Sequence, residues 1–114
     1  MPDPATDPLR TLVRSTLAFY ARFGVTPQLE NATRIFEEEV REFIEAAHTG
    51  TDKTHVAEEA ADVVVTVIGL CIAAGVDPDQ MIDQIYAVAA KNDAKTHATH
   101  VYINGKITRR SLVE

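Results

Sequence analysis

Residues 63–68, VVVTVI, lie inside the longer segment 56–74, and the structure of this segment determines whether the chain is all-α. Their β-branched side chains favour a buried strand by propensity. The apolar pattern nevertheless runs for about nineteen residues and stops at Gly75, which is too long for an ordinary strand. Glu58 and Glu59 stand near its start, where acidic side chains suit the positive end of a helix dipole. We therefore predict a helix over residues 56–74 that is apolar nearly all round and central to the fold.

Capping residues and apolar periodicity predict three further helices. Asp7-Pro8 and Asp77-Pro78 each combine an N-cap acid with a first-turn proline, and each precedes an apolar stripe at helical spacing. Between them, Asn31 or Thr33 caps another helix that ends near residues 48–50. These patterns predict helices on both sides of segment 56–74.

The chain closes on a candidate hairpin, residues 101–107, because Asn104-Gly105 suits a tight type I′ turn. Together, these elements predict an all-α fold: a four-helix bundle with a short C-terminal hairpin or extended tail. The length of 114 residues is typical of one domain, so we expect a single domain over residues 1–114.

Composition excludes several classes of protein. The net charge of −6 disfavours binding to nucleic acid or to anionic membranes. The longest mostly apolar run, residues 63–76, falls short of the ~20 residues that a membrane span needs. One cysteine permits no disulfide within the chain, and no leader is visible at the first residues, so a cytoplasmic location is expected.

Charge is concentrated in two regions. Residues 37–62 contain nine acidic and two basic residues. Downstream, residues 91–110 contain five basic residues and one acidic residue, Asp93. A function has to account for an acidic centre followed by a basic tail.

The acidic region contains a repeated motif, since EEVRE at 38–42 and EEAAD at 58–62 share the form Glu-Glu-x-x-acid. A spacing of three places the second and last acids of each motif on one helix face. If the short connection 49–55 makes the two helices antiparallel, both faces border one cleft. The acids concerned are Glu39, Glu42, Glu59 and Asp62.

Four carboxylates in one cleft repel one another unless cations neutralise them, and hard oxygen ligands select Mg²⁺ or Mn²⁺. The alternative is a solvated helix face. Such a face normally interleaves basic residues at the fourth position, and here only Arg41 does so. We therefore predict a metal site.

The order of these motifs resembles that of the MazG-like all-α nucleoside triphosphate pyrophosphohydrolases, which are related to phosphoribosyl-ATP pyrophosphohydrolase. The signature of that family is Glu-x-x-Glu followed by Glu-x-x-Asp on the next helix, and residues 39–42 and 59–62 match it. The resemblance extends to FYARFGV at residues 19–25 and to KNDAK at residues 91–95.

The resemblance implies cleavage of a nucleoside triphosphate to the monophosphate and pyrophosphate, with Mg²⁺ held by Glu39, Glu42, Glu59 and Asp62. It also implies phosphate contacts from the Asn-x-x-Lys element, so Lys91, Asn92 and Lys95 are predicted to bind substrate. Glu38 lies beside these ligands on a different face and is a candidate catalytic base or water-positioning group.

Two other functions remain open. One is the phosphoribosyl-ATP pyrophosphohydrolase reaction of histidine biosynthesis, and the other is a non-catalytic helical module whose acids bind a basic partner. Because so apolar a helix needs cover on several sides, we also expect a homodimer or homotetramer.

Overall fold

The computed structural model describes residue 3 and residues 5–113. Over these residues the chain forms four helices and an antiparallel hairpin, which confirms the predicted all-α fold with a C-terminal hairpin. The elements are α1 (Pro8–Arg22), α2 (Leu29–Thr49), α3 (Lys53–Ala73), α4 (Pro78–Asp93), β1 (His100–Ile103), β2 (Lys106–Arg109) and a final 3-10 turn (Arg110–Leu112).

Helix α1 begins as the sequence predicts. The Asp7 carboxylate accepts a hydrogen bond from the Leu9 amide at 3.0 Å, which satisfies one of the free amides of the first turn. Asp7 is fully buried and Arg10 is 7% exposed. The Arg10 guanidinium lies 3.7 Å from Asp79, near the start of α4. Polar contacts therefore secure the beginning of the first helix.

Helices α2 and α3 form an antiparallel pair joined by a very short turn. Asp52 caps α3 by accepting hydrogen bonds from the amides of Thr54 and His55 at 3.0 and 3.4 Å. A side chain at Gly50 would collide with the Ala46 carbonyl oxygen and would lie 3.0 Å from Val56. Glycine at this position therefore permits the close approach of the two helices.

Two predicted helix starts are wrong by several residues. Helix α2 begins at Leu29 rather than after Asn31 or Thr33, because Gln28 is the last residue with an extended backbone and serves as the N-cap. Helix α3 begins at Lys53 rather than near Val56, since Asp52 supplies the cap. Glu58 and Glu59 consequently lie in the second turn of α3, where their interaction with the helix dipole is weaker than expected.

The chain divides into two compact units, of which the first ends at Ile82 and the second begins at Asp83. We refer to residues 1–82 as the first unit and to residues 83–114 as the second unit. In the second unit, β1 pairs with β2 through a turn in which Asn104 and Gly105 have φ angles of 53° and 77°. These values match the predicted type I′ turn. The single domain over residues 1–114 stays a prediction.

Helix α3 is apolar, as predicted, but much of its surface is uncovered. Ile68 and Gly69 are buried, whereas Val64 and Val67 are 47% and 39% exposed. In the part of the chain that the structure describes, no helix is both long enough and apolar enough to cross a membrane.

Candidate metal centre

Three carboxylates meet where α2 and α3 approach their connecting turn. Among the described residues, Glu39, Glu42 and Glu59 each place an oxygen within 4.8 Å of the others. The antiparallel pairing explains this meeting, because Glu42 and Glu59 line a cleft near the turn while Ala32 and Gly69 line a cavity farther away. The structure therefore brings together three of the four predicted metal ligands.

The fourth predicted ligand, Asp62, is exposed and lies outside this group of three. Its negative charge still acts on the group, because it is one of the charges that raise the pKa of Glu39. Asp62 also lies three residues from Glu59, which places both on one side of α3. Asp62 thus belongs to the same electrostatic environment.

This arrangement disfavours the ionised form of Glu39. Burial raises its pKa above the usual value of 4.5, and the charges of Glu42, Asp62 and Glu59 raise it further, as does a hydrogen bond with Glu42. One oxygen of Glu39 and one of Glu59 are buried without a hydrogen-bond partner among the described residues. A buried acceptor without a partner costs free energy, and a cation would remove that cost.

The group of three is suited to a hard divalent cation. All of its donors are carboxylate oxygens, the ligand type preferred by Mg²⁺ and Mn²⁺. The two buried carboxylate oxygens without hydrogen-bond partners are metal-ligand atoms whose negative charge a bound cation would neutralise. The residues present therefore fit such a metal ion.

His55 is a neighbour of the centre that sequence reasoning missed. Its Nε2 atom lies 3.6 Å from Glu59 Oε1, and both residues line a cleft of about 290 Å³ together with Glu42. The signal was present in the sequence, because residues 55 and 59 have the spacing of four that places side chains together on a helix. A protonated His55 would hold Glu59 by a charged contact.

Glu38 is exposed on α2 and is not a member of the group of three. Its neighbour Glu39 is directed into the space between α2 and α3, and successive residues of a helix point about 100° apart. The role of Glu38 as a base therefore stays a prediction.

The predicted phosphate-binding residues belong to the second unit. Lys91, Asn92 and Lys95 are exposed, and Lys95 Nζ donates a hydrogen bond to Asn92 Oδ1 at 2.9 Å. Lys91 and Lys95 line a cleft of about 590 Å³ to which the hairpin side adds Arg109 and Arg110. Sequence reasoning found the basic tail but not this cleft, because the cleft requires the chain to fold back after α4.

Comparison with known proteins supports the resemblance. A sequence model of the family described as phosphoribosyl-ATP pyrophosphohydrolase matches residues 21–88, more than half of the 114 residues. The matched range contains α2 and α3 and therefore the whole group of three. No curated protein and no solved structure matches the chain significantly. The chain thus belongs to the phosphoribosyl-ATP pyrophosphohydrolase family, a family of pyrophosphohydrolases within the MazG-like superfamily.

Proposed function

We propose that this chain is a Mg²⁺-dependent pyrophosphohydrolase that cleaves a nucleoside or deoxynucleoside triphosphate to the monophosphate and pyrophosphate, as part of clearing unwanted nucleotides. The observation that carries the proposal is the group of three carboxylates, two of which bury an oxygen without a partner among the described residues. The family match supports the reaction class.

Glu39, Glu42 and Glu59, with Asp62 beside them, are the residues proposed to hold the metal. The bound ion would neutralise charge on phosphate oxygens and lower the pKa of a coordinated water. Mn²⁺ is expected to substitute for Mg²⁺ because both prefer oxygen ligands.

The remaining site residues act through charge and position. Glu38 is proposed to accept the proton of the attacking water, since it is adjacent to Glu39 and has a carboxylate free for solvent contact. His55 is proposed to orient Glu59 through their 3.6 Å contact.

Lys91, Asn92 and Lys95 are proposed to bind the phosphates of the substrate. The hydrogen bond from Lys95 to Asn92 limits the positions open to the ammonium group, and limiting them reduces the entropy lost on binding. Arg109 and Arg110 border the same cleft and increase its positive charge.

Phosphoribosyl-ATP is the second candidate substrate, because the matching family carries its name. Its hydrolysis is the same reaction at a similar phosphate chain. A third candidate function is a non-catalytic helical module whose acids bind a basic partner, and inactivity of the chain on every triphosphate would favour it.

A homodimer or homotetramer in the cytoplasm is also proposed. Large apolar side chains on several helices are exposed, including Phe19 on α1, Ile44 on α2 and Val64 on α3. Exposed apolar side chains on neighbouring helices are typical of surfaces covered by another subunit. Size-exclusion chromatography with light scattering would give the mass, and a monomeric mass would contradict the proposal.

The first experiment is pyrophosphate release with Mg²⁺ from a panel of canonical and modified triphosphates and phosphoribosyl-ATP. We expect one of these substrates to give monophosphate and pyrophosphate, and Glu39→Gln to abolish the reaction. Glu37→Gln is the matched control, because Glu37 is an exposed acid on the same helix outside the group of three. Inactivity across the panel, together with no stabilisation by Mg²⁺ or Mn²⁺, would reject the enzyme.

A further inference from the structure

A histidine borders the basic cleft of the second unit and has no role in the site described so far. The cleft has a volume of about 590 Å³, and His100 lines it together with Lys91, Lys95, Arg109 and Arg110. None of the described residues that line this cleft is acidic. The cleft therefore combines four cationic side chains with one side chain that becomes positive when it binds a proton.

The strand register places His100 beside Arg109. In the β1–β2 ladder, the two residues are directly opposite each other. The Cβ atoms of such a pair lie about 5 Å apart on the same face of the sheet, and like charges at these positions repel. A protonated His100 is therefore disfavoured next to Arg109 until an anion binds beside them.

The hydrogen bonds of His100 are compatible with a charged ring. Thr99 Oγ1 lies 2.7 Å from His100 Nδ1 and 3.3 Å from the Thr96 carbonyl oxygen. The hydroxyl can donate its one proton to Nδ1 of a neutral ring, or donate it to the carbonyl and accept from a protonated Nδ1. His100 can therefore gain a proton without losing its contact with Thr99.

The residues just before His100 are held to the final 3-10 turn. The Arg110 amide donates to the Thr99 carbonyl oxygen at 2.9 Å, and Arg110 Nε donates to the His97 carbonyl oxygen at 2.7 Å. These bonds fix the position of this segment relative to Arg110. A cleft whose walls are already positioned loses less entropy when a ligand binds.

The surroundings of His100 supply no negative charge that would balance an added proton. His100 also lines a smaller cleft of about 170 Å³, and no described residue that lines either cleft is acidic. The other charged and titratable groups of the two clefts come from α4 and the segment after it, from both strands and from the final turn. They are Lys91, Lys95, His97, Tyr102, Arg109 and Arg110.

We propose that a phosphate chain binds in the basic cleft together with one proton, which His100 takes up from solution. Histidine is the side chain that changes its charge between about pH 8 and pH 5. Because a bound anion favours the charged ring, and because such coupling is reciprocal, anion binding tightens as the pH falls through this range and weakens as it rises. The inference rests on the proposed function for its ligand, a phosphate chain, but not on hydrolysis or on a metal.

Isothermal titration of the full chain with inorganic triphosphate in EDTA tests the inference. Triphosphate itself gains protons as the pH falls, so the wild type is compared with His100→Gln at each pH. We expect the wild type to bind about two- to fivefold more tightly than His100→Gln at about pH 6, the effect of one exposed charge, and equally at about pH 8. In buffers with different heats of ionisation, the wild type should also take up more protons on binding. An equal affinity ratio at the two pH values, or no binding by the wild type, would overturn the inference.

Two further variants separate the charge of His100 from a structural role. His100→Lys carries its charge at both pH values, so it should bind triphosphate more tightly than the wild type at about pH 8. His97→Gln is the matched control, because His97 lines the smaller cleft but not the basic cleft, and it should keep the pH dependence of the wild type. Weak binding in His100→Gln that His100→Lys does not restore would overturn the inference, as would loss of the pH dependence in His97→Gln.

The outcomes also separate this inference from the proposed function. Hydrolysis of a triphosphate by a chain that binds inorganic triphosphate without proton uptake at His100 would keep the enzyme and reject the inference. Binding of triphosphate with proton uptake at His100, without hydrolysis of any substrate in the panel, would keep the inference and reject the enzyme.

Discussion

The two units of the chain differ in the sign of their charge and in how they hold it. The first unit has 14 acidic and six basic residues, while the second has three acidic and five basic residues. In the first unit, two long helices press carboxylates together and bury one oxygen each of Glu39 and Glu59. In the second, Lys91 and Lys95 are exposed to solvent.

This difference shows which unit bears the energetic cost of a binding site. Buried like charges destabilise the folded state until a cation arrives, whereas solvated lysines cost little. We therefore expect the largest effects of mutation on metal binding in the first unit, and smaller effects on anion binding in the second.

The largest expected effect is the loss of metal-dependent stability in Glu59→Gln. At a metal concentration of ~100 times Kd, binding stabilises a protein by about 2.7 kcal/mol, and the variant should lose most of this gain. Thermal unfolding with and without Mn²⁺ measures it. Glu58→Gln, a change at the exposed neighbouring acid, should keep the full metal-induced rise in Tm. Equal rises in the two variants would contradict a site at Glu59.

A second effect concerns the basic cleft of the second unit. Lys95→Ala should weaken the binding of inorganic triphosphate about two- to fivefold, since single exposed charges contribute modestly. Lys106→Ala, outside the cleft residues, should leave this binding nearly unchanged. Isothermal titration in EDTA measures both, because the acidic centre cannot recruit the anion through a metal there. If Lys106→Ala weakened binding as much as Lys95→Ala, the effect would be one of overall charge.

A third effect is the pH dependence of the metal-free first unit. Because the folded state raises the pKa of Glu39 above 4.5, ionisation of this group opposes folding. Its contribution to stability is therefore present below the usual value and is lost as the pH rises through the raised pKa. Relative to Glu39→Gln, the wild type should lose Tm in EDTA as the pH rises from below 4.5 through the raised pKa. The other carboxylates titrate in both proteins, so the difference isolates Glu39. A relative gain in Tm would contradict the assignment.

Sequence reasoning reached the acidic centre because its geometry is local. A spacing of three on a helix and a short connection were enough to place Glu39, Glu42 and Glu59 together, although the same reasoning also placed Asp62 with them and the structure leaves it outside the group of three. The hairpin was likewise predictable, since Asn104-Gly105 specifies its turn without help from the rest of the chain.

The cavity lined by Tyr20, Ala32 and Gly69 was beyond sequence reasoning because it depends on distant residues. Tyr20 and Gly69 are far apart in the sequence, with all of α2 between them, and their contact follows only from how α1 packs on α3. The wrong start predicted for α3 has a local cause. Asp52 precedes the apolar pattern by several polar residues, so periodicity alone did not reach the cap.

A fourth effect tests whether the two units open independently. Gly105 has a φ of 77°, and Gly105→Ala should destabilise the hairpin by about 1–2 kcal/mol, the cost of a left-handed non-glycine residue. Native-state hydrogen exchange should show faster exchange at Val101 and Thr108, partners in the β1–β2 ladder, and unchanged exchange in the middle of α2 and α3. Asn104→Gly is the control, because glycine accepts the φ of 53° found there without strain. Equal acceleration of exchange in the hairpin and in α2 and α3 would mean that the second unit opens only when the first unit opens.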